Sequence, residues 1–280
     1  MAEKKKRAGA QPDLASIGGI VLALGGIVGG LLLEGGKIQD IGQITAAIIV
    51  LCGTLGAVMV STPMRVLKGA FSRLGKVFVD TNESPDAVIE SLIEYATKAR
   101  RSGLVSLETE ALTIQDPFLR KAMNLAVDGT DMQELRSMME LEIHLEEGRA
   151  LAEAKVFDSA GGYAPTIGII GAVTGLIQVM KNLANTDEVG HGIASAFVAT
   201  LYGVGIANIV FLPAANKIRA SVHRRTELRE LMLEGVLGIV EGLNPKLIRS
   251  KLEAFQEPAA PAKSAATAQP RPVQKVSVAS

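Results

Sequence analysis

Tryptophan is absent from the sequence, aromatic residues make up only 4% of its 280 positions, and there is a single cysteine, Cys52. A large water-soluble core ordinarily leans on aromatic bulk. The 29 glycines present here are instead what close-packed membrane helices use. One cysteine excludes a disulfide within the chain and any site built from several thiolates. Lysines plus arginines equal aspartates plus glutamates at 29 each, so no field of one sign points to nucleic acid. No P-loop, zinc-ligand spacing, nucleophile elbow or glycine-rich nucleotide loop occurs, so an enzyme reading, a cofactor and a metal centre all lack support. His144 stands among Glu140, Glu142, Glu146 and Glu147, which reads as the solvated face of an acidic helix.

Mean hydropathy is positive, +0.29, although 21% of residues are charged, so apolar and charged residues lie in separate blocks. Four stretches hold no Asp, Glu, Lys or Arg: 14–33, 41–64, 161–180 and 192–216. Each is long enough to cross the roughly 30 Å hydrocarbon layer as a helix. Helix is required there, because lipid offers no partner for free backbone groups. The expected fold is all-α: four transmembrane helices with a helical cytoplasmic domain between the second and third.

Spans one and two are joined by residues 34–40 and spans three and four by 181–191, so each pair forms a hairpin. Lys4, Lys5, Lys6 and Arg7 precede the first span; Arg65, Lys68, Arg73 and Lys76 follow the second; Lys217, Arg219, Arg224 and Arg225 follow the fourth. The positive-inside rule then places both termini and the 65–160 loop in the cytoplasm. The first span lacks a small-residue cleavage pattern and reads as retained. Within the loop, Ser84-Pro85 starts a helix that stops at Gly103, Ser106 opens a short turn, and Asp116-Pro117 starts another helix ending at Asp128-Gly129. Thr130 is the expected cap of a long helix to about Phe157. A cytoplasmic helix is expected over 217–256. From Glu257 the Pro, Ala, Ser and Gln composition predicts a disordered tail.

Several constellations carry two readings each. Gly25 and Gly29, like Gly26 and Gly30, are four apart, and the third span repeats the pattern with Gly168, Ala172, Gly171 and Gly175. Such faces permit close approach, either between helices of one chain or between subunits. Pro165 and Pro213 are either static kinks or hinges that pass a change in the membrane to the cytoplasmic domain. Arg100 and Arg101 ahead of Glu108 are either a solvated helix end or a docking surface bearing both signs. No carboxylate lies inside a span, so a titrating group for ion passage belongs to a partner. Threonines 166, 174 and 200 offer only hydroxyls, which helices commonly satisfy internally.

The layout resembles the MotA/PomA family of bacterial flagellar stator proteins. The resemblance rests on Asp13-Leu14-Ala15-Ser16-Ile17-Gly18-Gly19, on Lys98 through Glu108 with its Ser106-Leu107-Glu108, on Tyr163-Ala164-Pro165-Thr166 running to Gly175, and on Ala199-Thr200-Leu201-Tyr202-Gly203 followed by Pro213. It implies a homo-oligomer, a pentamer, around a dimer of a MotB-like partner that supplies one transmembrane helix, an ion-binding aspartate and a peptidoglycan-binding domain. Passage of a proton or sodium ion then drives torque on the rotor switch protein. By motif position the resemblance makes Arg100, Arg101 and Glu108 rotor-facing charges, Pro165 and Pro213 the ion-coupling hinges, and Thr166 and Thr200 lining residues of the ion route. Gln43 stands near the place where sodium-driven members carry an aspartate. The competing reading is an ExbB/TolQ-type energiser of outer-membrane processes, whose members typically have three spans and an external N-terminus. A secondary carrier predicts a buried mid-membrane charge, which the sequence lacks.

Overall fold

The computed structural model describes residues 11–77, 79–80, 84–181, 183–184 and 186–255. Residues 4–7 and the tail from Glu257 therefore lie outside the described residues. Helix α1 spans Leu14–Leu33. Asp13 caps it, its carboxylate accepting from the Ala15 and Ser16 amides at 3.1 and 3.3 Å. The second span is broken near its start: α2 is Ile38–Ile41, Gly42 and Gln43 interrupt, and α3 runs Ile44–Ser61. It stops three residues before the end of its charge-free stretch because Pro63 forces Thr62 into extended geometry (φ −131°, ψ 130°). Its buried residues Ala46, Val50, Thr54 and Val58 fall at every fourth position, one face of the helix.

Helix α4 is Met64–Val77. Leu67 and Ala70 are buried, whereas Arg65 and Lys68 are exposed. Two residues of strand follow: β1, Gln11–Pro12, pairs antiparallel with β2, Val79–Asp80. This is the sole departure from an all-α fold among the described residues. Pro12 has no N–H to extend it. The cytoplasmic domain continues with α5 (Pro85–Ser102), a 3-10 turn (Leu104–Leu107), α6 (Glu108–Ala111) and α7 (Pro117–Val127). The α5 stop is Gly103 at φ +82°, a conformation that side chains with a Cβ rarely adopt. Asp116 caps α7, accepting from the Leu119 amide at 2.8 Å.

Helix α8 runs unbroken from Met132 to Lys181, 50 residues, so the expected cytoplasmic helix and third span are one rod. Its cap is Asp131, not Thr130: the Asp131 carboxylate accepts from the Gln133 amide at 2.9 Å. Helix α9 (Thr186–Ile206) passes through a π turn (Ala207–Phe211) directly into α10 (Leu212–Val240), so the fourth span also continues well beyond its charge-free stretch. Helix α11, Pro245–Glu253, follows.

Two main cores result. The distal core joins α5, the 3-10 turn, α6, α7, α8, α10 and α11 through Leu92, Leu107, Ala111, Phe118, Leu135, Met232 and Ile248. The second lies where the spans leave the membrane and holds Val58, Phe157, Ala160, Ala214 and Ile218. Between them α8 and α10 form an antiparallel stalk. Three ion pairs lace it: Asp158 with Arg219, Glu146 with Arg229 at 2.8 Å, and Arg136 with Glu234 at 2.9 Å.

Candidate functional site

Within the membrane the tightest contact is between α8 and α9, and glycine makes it possible. A methyl on Gly168 would sit 2.9 Å from the Ala199 carbonyl oxygen, and one on Gly203 would sit 2.5 Å from that of Ala164. Gly171 and Gly175 meet Ala199 and Ala196 in the same way. The small-residue face of the third span is thus used inside the subunit. Gly25, Gly26, Gly29 and Gly30 of α1 touch nothing within 4 Å, and α1 has no buried residue. That helix is held at its base, where Lys217 pairs with Asp13 and donates to Ser16 Oγ at 2.6 Å. Between α1 and the α3–α9 pair lies an apolar cavity of about 380 Å³, walled by Ile20, Leu24, Ile27, Val50, Gly205 and Ile209 among others. Its hydrocarbon walls make it no path for an ion.

The stretches that carry the two prolines pack together at Gly161 and Leu212. Pro165 lies inside α8 and has no N–H for the Gly161 carbonyl. Gly161 packs against Leu212, where a methyl would come 2.6 Å from Leu212 Cδ2, and Leu212 precedes Pro213. The π turn before Pro213 re-routes the ladder: the Leu212 amide donates to the Ala207 carbonyl, five residues back. Asn208 Nδ2 donates to the Val204 carbonyl at 2.9 Å, so a side chain serves the widened turn. Pro213 is legible in the sequence, whereas the π turn and the bond made by Asn208 are not.

The threonines named from sequence are not linked to each other by a hydrogen bond. Thr166 Oγ1 donates to the Tyr163 carbonyl at 2.8 Å and Thr200 Oγ1 to that of Ala196 at 3.4 Å. Thr166 is exposed and Thr200 half-buried. Two polar groups that sequence analysis assigned no role are buried without a hydrogen-bond partner among the described residues, Thr54 Oγ1 and Gln43 Oε1. A hydroxyl buried in a span costs free energy unless it finds a partner, so Thr54 marks a place where one is expected. Tyr202, quoted only as part of a motif, fixes the break in the second span: its hydroxyl donates to the Ile41 carbonyl and accepts from the Gln43 amide at 3.4 Å.

At the distal end, Arg100 and Arg101 close α5, Gly103 turns the chain, and Glu108 opens α6. All three side chains are exposed and none is in an ion pair among the described residues. Lys98 and Glu110, one turn behind them, pair with each other. That hydrogen bond holds the Glu110 carboxyl below its ordinary range. The tip is braced by buried Ala96, Leu107 and Ala111. Val105 and Leu112 stand out beside the charges, 70% and 73% exposed. His144 is exposed on α8.

Comparison with known proteins covers both halves of the chain. A family described as motility protein A N-terminal matches residues 17–103, and the MotA/TolQ/ExbB proton channel family matches residues 110–231. Motility protein A of Bacillus subtilis (strain 168) is 38% identical over 244 residues, 86% of this chain and 89% of that protein. The fold is similar to that in the structure of C. jejuni MotAB, with a TM-score of 0.84 and 34% identity over 89% of this chain and 98% of that one. The flagellar MotAB stator complex from Bacillus subtilis gives a TM-score of 0.82 and 36% identity, covering 88% and 96%.

Proposed function

The chain belongs to the MotA/PomA family, and from that premise we propose that it is a stator subunit of the flagellar motor. With a MotB-like partner it couples proton or sodium flow across the inner membrane to torque on the rotor. It assembles with further copies of itself around that partner. The observation that carries the reading is the likeness to stator complexes over nearly the whole chain. The match of residues 17–103 to a motility-specific N-terminal half favours it over an ExbB/TolQ-type energiser.

The geometry supports a division of labour. No carboxylate lies inside the charge-free stretches 14–33, 41–64, 161–180 and 192–216, so the partner supplies the group that takes the ion. Pro165 and Pro213, on stretches that pack together where Gly161 meets Leu212, form the joint at which a change in the membrane enters the stalk. Arg100, Arg101 and Glu108 face the rotor as unpaired charges on a braced tip. Thr166 and Thr200 flank the ion route, and the protein works as a force generator, with no reaction of its own. Both termini are cytoplasmic: the β1–β2 bridge and the Lys217–Asp13 pair gather residues 11–13, 79–80 and 217 at one end of the spans.

The test is a strain lacking the gene. It is expected to build filaments that do not turn, with swimming restored by the chain and not by the Arg100→Glu, Glu108→Lys double variant. Normal swimming with a defect in outer-membrane uptake would assign the protein to the energiser class instead.

A further inference from the structure

The cavity between α1 and the α3–α9 pair has no part in ion passage or in contact with the rotor. Its α1 wall is Ile20, Leu24, Ile27 and Val28, which fall on one face of the helix by their spacing of three and four. The facing wall includes Gly205 and Ile209. Although they line a cavity of their own subunit, Leu24 and Ile27 stay 50% and 44% exposed, and no residue of α1 is buried. The helix therefore stands off its neighbours across a gap. Gly205 widens that gap, since a methyl there would meet nothing within 4 Å. On the same helix a methyl on Gly203 would strike the Ala164 carbonyl oxygen of α8.

Protein interiors are close-packed and do not keep large voids. Hydrocarbon walls offer water no partner, so solvent does not fill this one. Every wall residue falls within the charge-free stretches 14–33, 41–64 and 192–216, so the surrounding medium is hydrocarbon as well. Size then selects the occupant. From Ile20 to Val28 the wall runs about 12 Å along α1, so a cavity of about 380 Å³ has a cross-section of about 30 Å². A helix about 10 Å across needs about 80 Å², which excludes a helix from a second copy or from a partner. A dry cavity of about 150 Å³ holds a benzene ring, so this one has room for about fifteen carbons in a chain.

We propose that one acyl chain of a bilayer phospholipid occupies the cavity and supplies the packing that α1 lacks. The chain enters sideways past the half-exposed Leu24 and Ile27, so its headgroup never crosses the protein. Neither Thr166 nor Thr200 lines the cavity, which keeps the lipid apart from the residues assigned to the ion route. The lipid acts as a filler that ties a loosely held helix to its own subunit. The proposal rests on the spans alone and holds whether or not the chain drives a motor.

The experiment uses the full chain co-produced with its partner and purified in digitonin, whose rigid rings do not enter so narrow a slot. After addition of phosphatidylethanolamine with 16- and 18-carbon chains, each copy is expected to hold one phospholipid through washing, counted by native mass spectrometry. Gly205→Phe places a ring in the cavity. It is expected to melt no lower than the parent and to retain at least about tenfold less lipid. A second measurement needs no variant. Phosphatidylethanolamine carrying a diazirine in mid-chain is expected to label Leu24 and Ile209 of the parent in preference to Leu22, which does not line the cavity. Equal retention by Gly205→Phe, no lipid retained by the parent, or preferential labelling of Leu22 overturns the proposal. A bound free fatty acid in place of the phospholipid overturns the bilayer as its source.

Discussion

Arg229 sits at the centre of the stalk, 8% exposed, with Glu146 on one side at 2.8 Å and the Phe118 ring 5.3 Å away on another. Replacing it with methionine keeps the stem and removes the hydrogen bond. Because Glu146 is 38% exposed and regains water, Arg229→Met is expected to cost about 1.5–3 kcal/mol, read from thermal unfolding. Glycines in the membrane divide by their surroundings. Gly168→Val must displace the Ala199 backbone and is expected to destabilise the α8–α9 hairpin by about 1–3 kcal/mol or more. Gly26→Ala meets nothing and is expected to leave the isolated subunit unchanged in the same assay.

Elements differ in how openly the sequence announces them. Absence of charge marked the spans, since a charged residue at mid-membrane costs several kcal/mol. Ser84-Pro85, Asp116-Pro117, Gly103 and Gly129 marked helix ends through proline's fixed φ and glycine's positive φ. The continuity of α8 was hidden, because a charge-free stretch tells where lipid begins and not where a helix ends. Between Phe157 and Gly161 nothing breaks the backbone ladder. The π turn was hidden too, since it reflects packing of Leu212 on Gly161 as much as local sequence. The exposed charges Arg100, Arg101 and Glu108 were legible as a cluster, whereas Tyr202 acts through long-range hydrogen bonds with no local pattern. Pro165→Ala restores a donor to the Gly161 carbonyl. If Pro165 is a working joint, the subunit melts no lower and the cell swims more slowly; equal swimming speed would make it a passive gap in the ladder.

Across the whole molecule the cytoplasmic part depends on carboxylates that stay charged. Burial raises the Glu146 carboxyl, but the hydrogen bond and charge of Arg229 outweigh it and the net shift is downward. Glu234 behaves alike, with burial opposed by Lys251 and Arg136. A carboxyl lowered on folding contributes stability that is full above its ordinary value, 4.5 here, and is lost as pH falls through the folded value. The melting temperature is therefore expected to hold near neutrality and to drop below about pH 4.5, with Glu146→Gln lowering it at pH 7 and flattening its acid dependence. The length of α8 sets a mechanical gain as well. From Pro165 to Met132 the rod is about 50 Å, so a tilt of about 5° at the proline sweeps its far end through about 4 Å. Leu135 at that end shares a core with Leu107, beside the exposed charges. Such a rod is a lever, in which a small displacement within the span becomes a larger one at the far end.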